Sequence, residues 1–202
     1  MTEGSGTRVL VITGPSGVGK GSLIAELLRR FPDLRLSVSA TTRPPRSGER
    51  DGRDYHFLTP EEFERRVQAG EFLEHAEYAG NRYGTLRSEV EPERQPVVLE
   101  IEVQGARQVR ETLPEAVQVF IAPPSVDALR ERLLGRGTDS PEGIRARLAR
   151  AEEELRAQDE FPHVIVNDEL PRASRELIDR VATIWPRPAG RATARPDREG
   201  ST

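Results

Sequence analysis

Hydrophobic residues in this chain change their spacing in a regular order. Val9-Leu10-Val11-Ile12 is an unbroken apolar run closed by Thr13. Ser22-Leu23-Ile24-Ala25-Glu26-Leu27-Leu28-Arg29-Arg30 then carries its apolar residues on one helical face. The pairing recurs as Pro96–Glu102 with a helix over about 103–112, Val117–Ala122 with one over about 125–134, and Val164–Asn167 with one over about 171–185. Short apolar runs without alternation are what strands covered on both faces look like. The order predicts an α/β fold, a parallel sheet flanked by helices.

Two stretches break that rhythm. Over 36–92 the pieces are short and β-like: Leu36-Ser37-Val38-Ser39, Asp54-Tyr55-His56-Phe57, Phe72-Leu73-Glu74-His75 and Asn81-Arg82-Tyr83-Gly84. One helix stands among them, announced by Thr59-Pro60-Glu61-Glu62, an N-cap, a first-turn proline and a capping-box glutamate. This segment reads as an inserted, mostly β lobe. The stretch 133–158 is rich in both charges, with Ser140-Pro141-Glu142 as cap and first turn, and reads as a mobile, solvent-facing helical lid rather than core. The core is left with 8–35, 93–132 and 159–185, and the ends, 1–7 and 186–202, lack the apolar residues to join it.

Composition sharpens one point. Of 30 basic residues, a single one is lysine, Lys20. It stands in Gly14-Pro15-Ser16-Gly17-Val18-Gly19-Lys20-Gly21-Ser22, between the first strand and the first helix. A compact ammonium on a flexible stem reaches into a glycine-lined loop where a planar guanidinium does not. Strand, glycine loop, lysine and helix in that order form a P-loop, whose backbone N–H groups cradle polyphosphate. The strict motif places Ser or Thr directly after the lysine to hold Mg²⁺. Here Gly21 takes that position and the hydroxyl comes at Ser22. The Lys-Gly-Ser order resembles the variant of small-molecule nucleotide kinases, in which Mg²⁺ depends largely on the nucleotide and water.

Phosphoryl transfer needs cations around both phosphate groups. Thr41-Thr42-Arg43-Pro44-Pro45-Arg46 sets two guanidiniums on a proline-stiffened loop. Arg132 and Arg136 lie four apart at a helix end, with Arg147 beyond the next loop. This second cluster suits phosphate binding and helix capping equally. Glu100 and Glu102 are two apart at the end of a strand, so both side chains face one side. Ligands of open α/β sheets bind off that strand end; an ion pair with an arginine is the other role open to them.

Four segments in order give the chain a specific likeness. The P-loop, Ser37-Val38-Ser39-Ala40-Thr41-Thr42-Arg43-Pro44-Pro45-Arg46, Phe72-Leu73-Glu74-His75-Ala76 leading to Tyr83-Gly84-Thr85, and Gly135-Arg136-Gly137 together resemble guanylate kinases over roughly 7–185. The resemblance implies transfer of the γ-phosphoryl group of ATP to GMP or dGMP, with Mg²⁺. It implies that Arg43, Arg46, Tyr55 and Tyr83 hold the GMP phosphate and that Ser39, Glu74 and Thr85 hold guanine. Glu100 and Glu102, also in the GMP site, stand where relatives carry paired aspartates near guanine and the metal. Gly14 to Ser22 with Arg132 and Arg136 would bind ATP, Ser22 being the protein group nearest Mg²⁺. Lys20, Arg43, Arg136 and Arg147 would act on the transferring phosphoryl.

Two other readings remain. One is a catalytically dead binding module of the same fold; the other is a kinase for a different phosphorylated acceptor. A net charge of −4 argues against a nucleic-acid partner. The longest apolar run, about five residues, is far short of the ~20 that span a bilayer. With no targeting pattern at the start, the expected location is cytoplasmic. Monomer and homo-oligomer are both open.

Overall fold

The computed structural model describes residues 9–78, 80–91, 95–135 and 141–185. Five parallel strands form the main sheet, in the order β2 (Arg35–Leu36), β7 (Val97–Glu100), β1 (Val9–Thr13), β8 (Val117–Ala122) and β9 (His163–Val166). β1 is central, with Val9 opposite Val97 and Leu10 opposite Val117. All five of its residues are buried, as expected of a strand covered on both faces.

Strand alternation divides the main core into two layers. Leu10, Ile12, Val119, Ile121 and Ile165 face one way. They pack on α1 (Lys20–Arg30), α4 (Val126–Gly135) and α6 (Leu170–Ile184) through Leu23, Leu27, Leu129, Leu133, Leu177 and Val181. Val9, Val11, Leu99 and Phe120 face the other way, onto Val103, Ala106 and Val109 of α3 (Val103–Thr112). Burying apolar side chains in this way contributes ~1.5–3 kcal/mol for each large one.

The inserted segment folds as a second sheet, ordered β4 (His56–Phe57), β3 (Ala40–Thr41), β6 (Asn81–Leu86) and β5 (Phe72–Tyr78). β6 is antiparallel to both neighbours, and β3 is parallel to β4. Its own small core is Ala40, Phe63, Phe72 and Leu86. The Phe63 ring, from α2 (Pro60–Gln68), stacks on Phe72 at 4.4 Å. Thr59 caps α2 by accepting the Glu62 N–H at 3.1 Å, as the sequence predicts.

Two boundaries and the exposure of one helix differ from the sequence reading. Leu36 is hydrogen-bonded into the main sheet beside Val98, so the lobe starts after it. The strand expected through Glu102 stops at Glu100, and Glu102 is the N-cap of α3. The helix α5 (Pro141–Arg156) is only partly a solvent-facing lid: Ala151 is 1% exposed in the main core, and Leu148 and Leu155 pack against it. Small and apolar residues recur on one face of this helix, and composition averaged over its length hides that face.

Gly14 marks where the main sheet hands the chain to the P-loop. Its φ is +135°, and an added Cβ would collide with the Ile121 carbonyl of β8. Gly21 has open space around its Cα. Gly14→Ala is therefore expected to destabilise by about 3 kcal/mol or more, through strain and clash together. Gly21→Ala, near the start of α1, should stabilise by about 0.5–1 kcal/mol. Thermal unfolding of the two variants checks the pair.

Candidate active site

A cleft of about 710 Å³ opens between the carboxyl ends of β1 and β7, the P-loop, the second sheet and α5. On the first wall, Gly14, Gly17 and Gly19 all take positive φ, and Gly19 is the N-cap of α1. Lys20 is then the first helical residue. Its Nζ donates to the carbonyls of Gly14 at 2.6 Å and Pro15 at 3.3 Å. Ser16, Gly17, Gly19, Lys20, Gly21 and Ser22 line the cleft. The free N–H groups and positive dipole end of α1 therefore meet the ammonium at one place, an anion site.

Gly14, Pro15 and Val18 lie behind that surface. The Val18 carbonyl accepts from Asn167 Nδ2 at 2.8 Å and from Arg132 at 3.3 Å. Arg132 also donates to the carbonyls of Asn167 and Asp168. The structure thus places Arg132 as a brace under the loop rather than in the cleft lining. Asn167, 5% exposed, is a positioning residue that sequence reading missed. Its one signal was a polar residue closing the apolar strand β9. Arg147 lines the cleft from α5. Arg136 lies outside the described residues.

The opposite wall is acidic. Glu74 of β5 is 4% exposed, and its Oε1 accepts the Thr85 hydroxyl at 2.8 Å. Thr85 pairs with Glu74 across the β5–β6 ladder, which aligns the two side chains. Burial pushes the Glu74 carboxyl up to about 7, the Thr85 hydrogen bonds opposing and nearby Glu102 adding to the rise. Its Oε2 abuts Gly105 in the first turn of α3, where any Cβ would collide with it. Gln108, one turn later, donates to the His75 carbonyl at 2.7 Å and accepts the His75 N–H at 3.1 Å. It clasps β5 as a neighbouring strand would. Neither Gly105 nor Gln108 stood out in the sequence.

Ser39, Glu100 and Glu102 join Glu74 around the same space. Glu100 is open to the cleft, yet the protein around it desolvates its carboxyl and raises its pKa, Lys20 opposing. The shared face expected for Glu100 and Glu102 is the cleft, although Glu102 reaches it from a helix cap and not from the strand.

Between the two walls, Arg43, Arg46, Tyr55 and Tyr83 converge. Arg43 lies over the Tyr55 ring, 5.2 Å from its centroid, and Tyr55 and Tyr83 meet edge to face at 6.2 Å. Both guanidinium ends of Arg43 donate to Glu49, at 2.9 and 3.0 Å, and Glu49 also accepts the Arg46 N–H at 2.6 Å. These contacts hold the Glu49 carboxyl below its usual range. Glu49 thus occupies the position of an oxyanion between the Arg43 guanidinium and the backbone N–H of Arg46. The sequence reading did not include it, because a glutamate among loop arginines resembles any surface ion pair.

Comparison with known proteins agrees with this geometry. The guanylate kinase family model matches residues 6–183. A guanylate kinase of Synechococcus sp. (strain CC9311) is 58% identical over 178 residues, 87% of this chain and 94% of that protein. One from Synechocystis sp. (strain ATCC 27184 / PCC 6803 / Kazusa) is 53% identical over 174 residues, 85% of this chain and 91% of the relative. Among solved structures, guanylate kinase from Anaplasma phagocytophilum superposes with a TM-score of 0.68 at 32% identity, covering 89% of this chain and 87% of that one. The chain belongs to the guanylate kinase family.

Proposed function

We infer that this chain transfers the γ-phosphoryl group of ATP to GMP, and to dGMP, yielding ADP and GDP. The observation that carries the reading is the buried Glu74–Thr85 pair facing a P-loop across one cleft. Guanine presents N1–H and an N2 amine side by side, a donor pair that one carboxylate accepts with both oxygens. Adenine has no donor at either position and would leave Glu74 desolvated and unpaired. A site built to bond a donor rejects a ligand lacking it by a factor on the order of 10⁴.

Arg43, Arg46, Tyr55 and Tyr83 would take the GMP phosphate, with that phosphate replacing Glu49 on the Arg43 guanidinium and the Arg46 backbone N–H. Lys20 and the α1 N-terminus would take the ATP β- and γ-phosphates. An oxygen of the GMP phosphate bonds to the γ-phosphorus as the bond to the bridging ADP oxygen breaks. The acceptor is already an oxyanion, so no general base is required. Arg147 supports the charge of the moving group from the α5 side. Closure of the second sheet and α5 around both substrates would exclude water, which would otherwise be the acceptor.

Among the described residues no group of three His, Cys, Asp or Glu could hold a metal. The Ser22 hydroxyl beside Lys20 in the cleft fits an ion carried chiefly by nucleotide and water, as is usual for Mg²⁺. When bound, Mg²⁺ would neutralise charge on the β- and γ-phosphates. No helix among the described residues is long and apolar enough to cross a membrane.

An acceptor panel tests the reading. With ATP and Mg²⁺, ADP release is expected with GMP and dGMP and not with AMP, UMP, CMP or ribose 1,5-bisphosphate. Turnover on another acceptor alone would assign a different kinase, and none from folded protein would favour a binding module.

Glu74→Ala should lower kcat/KM for GMP by about 10³-fold, the loss of two hydrogen bonds to a charged group. ATP affinity, read by titration calorimetry, should change less than about twofold. In the free protein, kcat/KM for GMP should rise with pH through about 7, as Glu74 takes the ionised form that accepts guanine. The second ionisation of the GMP phosphate, near pH ~6, precedes that rise. In Glu74→Gln the rise near 7 should disappear.

A further inference from the structure

Glu154 is a buried carboxyl that the transfer reaction as described leaves unused. It lies on the C-terminal half of α5 and is 8% exposed. Glu154 Oε2 and Glu102 Oε2 are both shut off from solvent without a donor N–H or hydroxyl. The two carboxyls lie within hydrogen-bonding reach of each other. Two such groups in a dry site do not both keep a charge, and Glu154, whose pKa is raised, holds the proton that bridges to Glu102.

The other Glu154 oxygen accepts from Arg150 Nε at 3.3 Å. The Arg150 guanidinium in turn lies over the Tyr78 ring, 4.3 Å from its centroid. Tyr78 is the last residue of β5, the strand that carries Glu74. One short chain of contacts therefore joins α3 of the core, α5 and the second sheet. Arg147, Arg150 and Glu154 are spaced by three and four residues, so they share one face of α5.

We propose that Glu154 is a positioning residue for Arg147: its proton-sharing contact with Glu102 fixes the rotation of α5, and Arg150 on Tyr78 ties that rotation to the guanine-binding sheet. Arg147 faces the triphosphate side of the cleft only in that rotation. Occupation of the guanine pocket and placement of Arg147 then form one coupled event. The proposal rests on ATP-to-GMP transfer being the reaction.

Burial and the contact with Glu102 both raise the Glu154 pKa, while Lys20 of α1 and Arg150 oppose the rise. Glu100 of β7 and Glu74 of β5 also face Glu102 and add negative charge on its other sides. The shared proton is therefore kept at neutral pH and lost under alkaline conditions, where the paired charges repel and α5 loosens.

Steady-state transfer from ATP to GMP, measured from pH 6 to 9 at constant ionic strength, tests this in Glu154→Gln, Glu154→Ala, Arg147→Ala and the Arg147→Ala/Glu154→Ala double variant. Misplacing a catalytic cation by about 1 Å lowers rate by up to ~100-fold. Glu154→Ala should accordingly lose about 10- to 100-fold in kcat at pH 7. In the double variant, kcat should be no lower than in Arg147→Ala alone. Glu154→Gln still donates to Glu102 and cannot ionise. It should stay within about threefold of wild type at pH 7 and keep its activity at pH 9, where the wild type declines. Additive losses in the double variant, or an alkaline decline in Glu154→Gln matching that of the wild type, would overturn the proposal. Should Glu154→Ala not fold, the Glu154→Gln profile decides alone. Absence of GMP-dependent turnover in the wild type would instead remove the functional reading beneath it.

Discussion

Opposite charges that must serve two ends of a substrate pair have to be kept from neutralising each other, and the cleft is organised around that constraint. Lys20 stands on one wall, and Glu74, Glu100 and Glu102 stand on the other. At the effective dielectric of a protein site, oppositely charged groups 4 Å apart attract by about 4 kcal/mol. A collapsed cleft would therefore be a stable dead end. The fold resists it by giving each group a local partner. Lys20 is folded back on the carbonyls of Gly14 and Pro15, Arg43 is engaged by Glu49, and Glu74 is satisfied by Thr85.

Each sheet has a core of its own, and the two meet at Leu73 of β5, which is buried in the main core with Leu99, Val103 and Ala106. The second sheet closes around Phe63 and Phe72, while the main sheet is covered on both faces by its own helices. Polar clasps add to that apolar junction. Glu89, 6% exposed in the 3₁₀ turn Arg87–Val90, accepts from Arg35 of β2 at 2.6 Å and from the Val38 N–H at 3.2 Å. Gln108 holds His75 from α3. Polar clasps have directional geometry, so they set register between the two bodies where apolar contact at Leu73 alone would not.

How much of this was legible in the chain depended on the sequence distance over which each feature is encoded. The P-loop and α1 were legible because strand, glycines and lysine follow one another within a few residues. The cap of α2 and the extent of α3 were legible for the same reason. Arg43, Arg46, Tyr55, Glu74 and Tyr83 could be chosen as a group only through family resemblance, since nothing local says that residues 43 and 83 meet. Asn167 supports Val18 across 149 positions, and Gln108 reaches His75 across 33. Amides at helix faces and strand ends are common, and neither of these was distinguishable from its solvated counterparts. Arg132 shows the reverse case: its type and spacing suited phosphate, and its actual partners are backbone carbonyls.

By itself, the sequence determined the alternation of buried strands and helices, the anion-binding loop and the presence of an inserted β lobe. These follow from periodicity and short-range stereochemistry, which neighbouring residues encode. Tertiary structure alone decided which carboxylate is desolvated, which arginine meets a carboxylate and which meets backbone, and that the Glu154 carboxyl of α5 is buried beside that of Glu102, more than forty positions earlier in the chain. Desolvation and charge pairing depend on what surrounds a group on every side, and those surroundings come from segments that the linear order keeps apart.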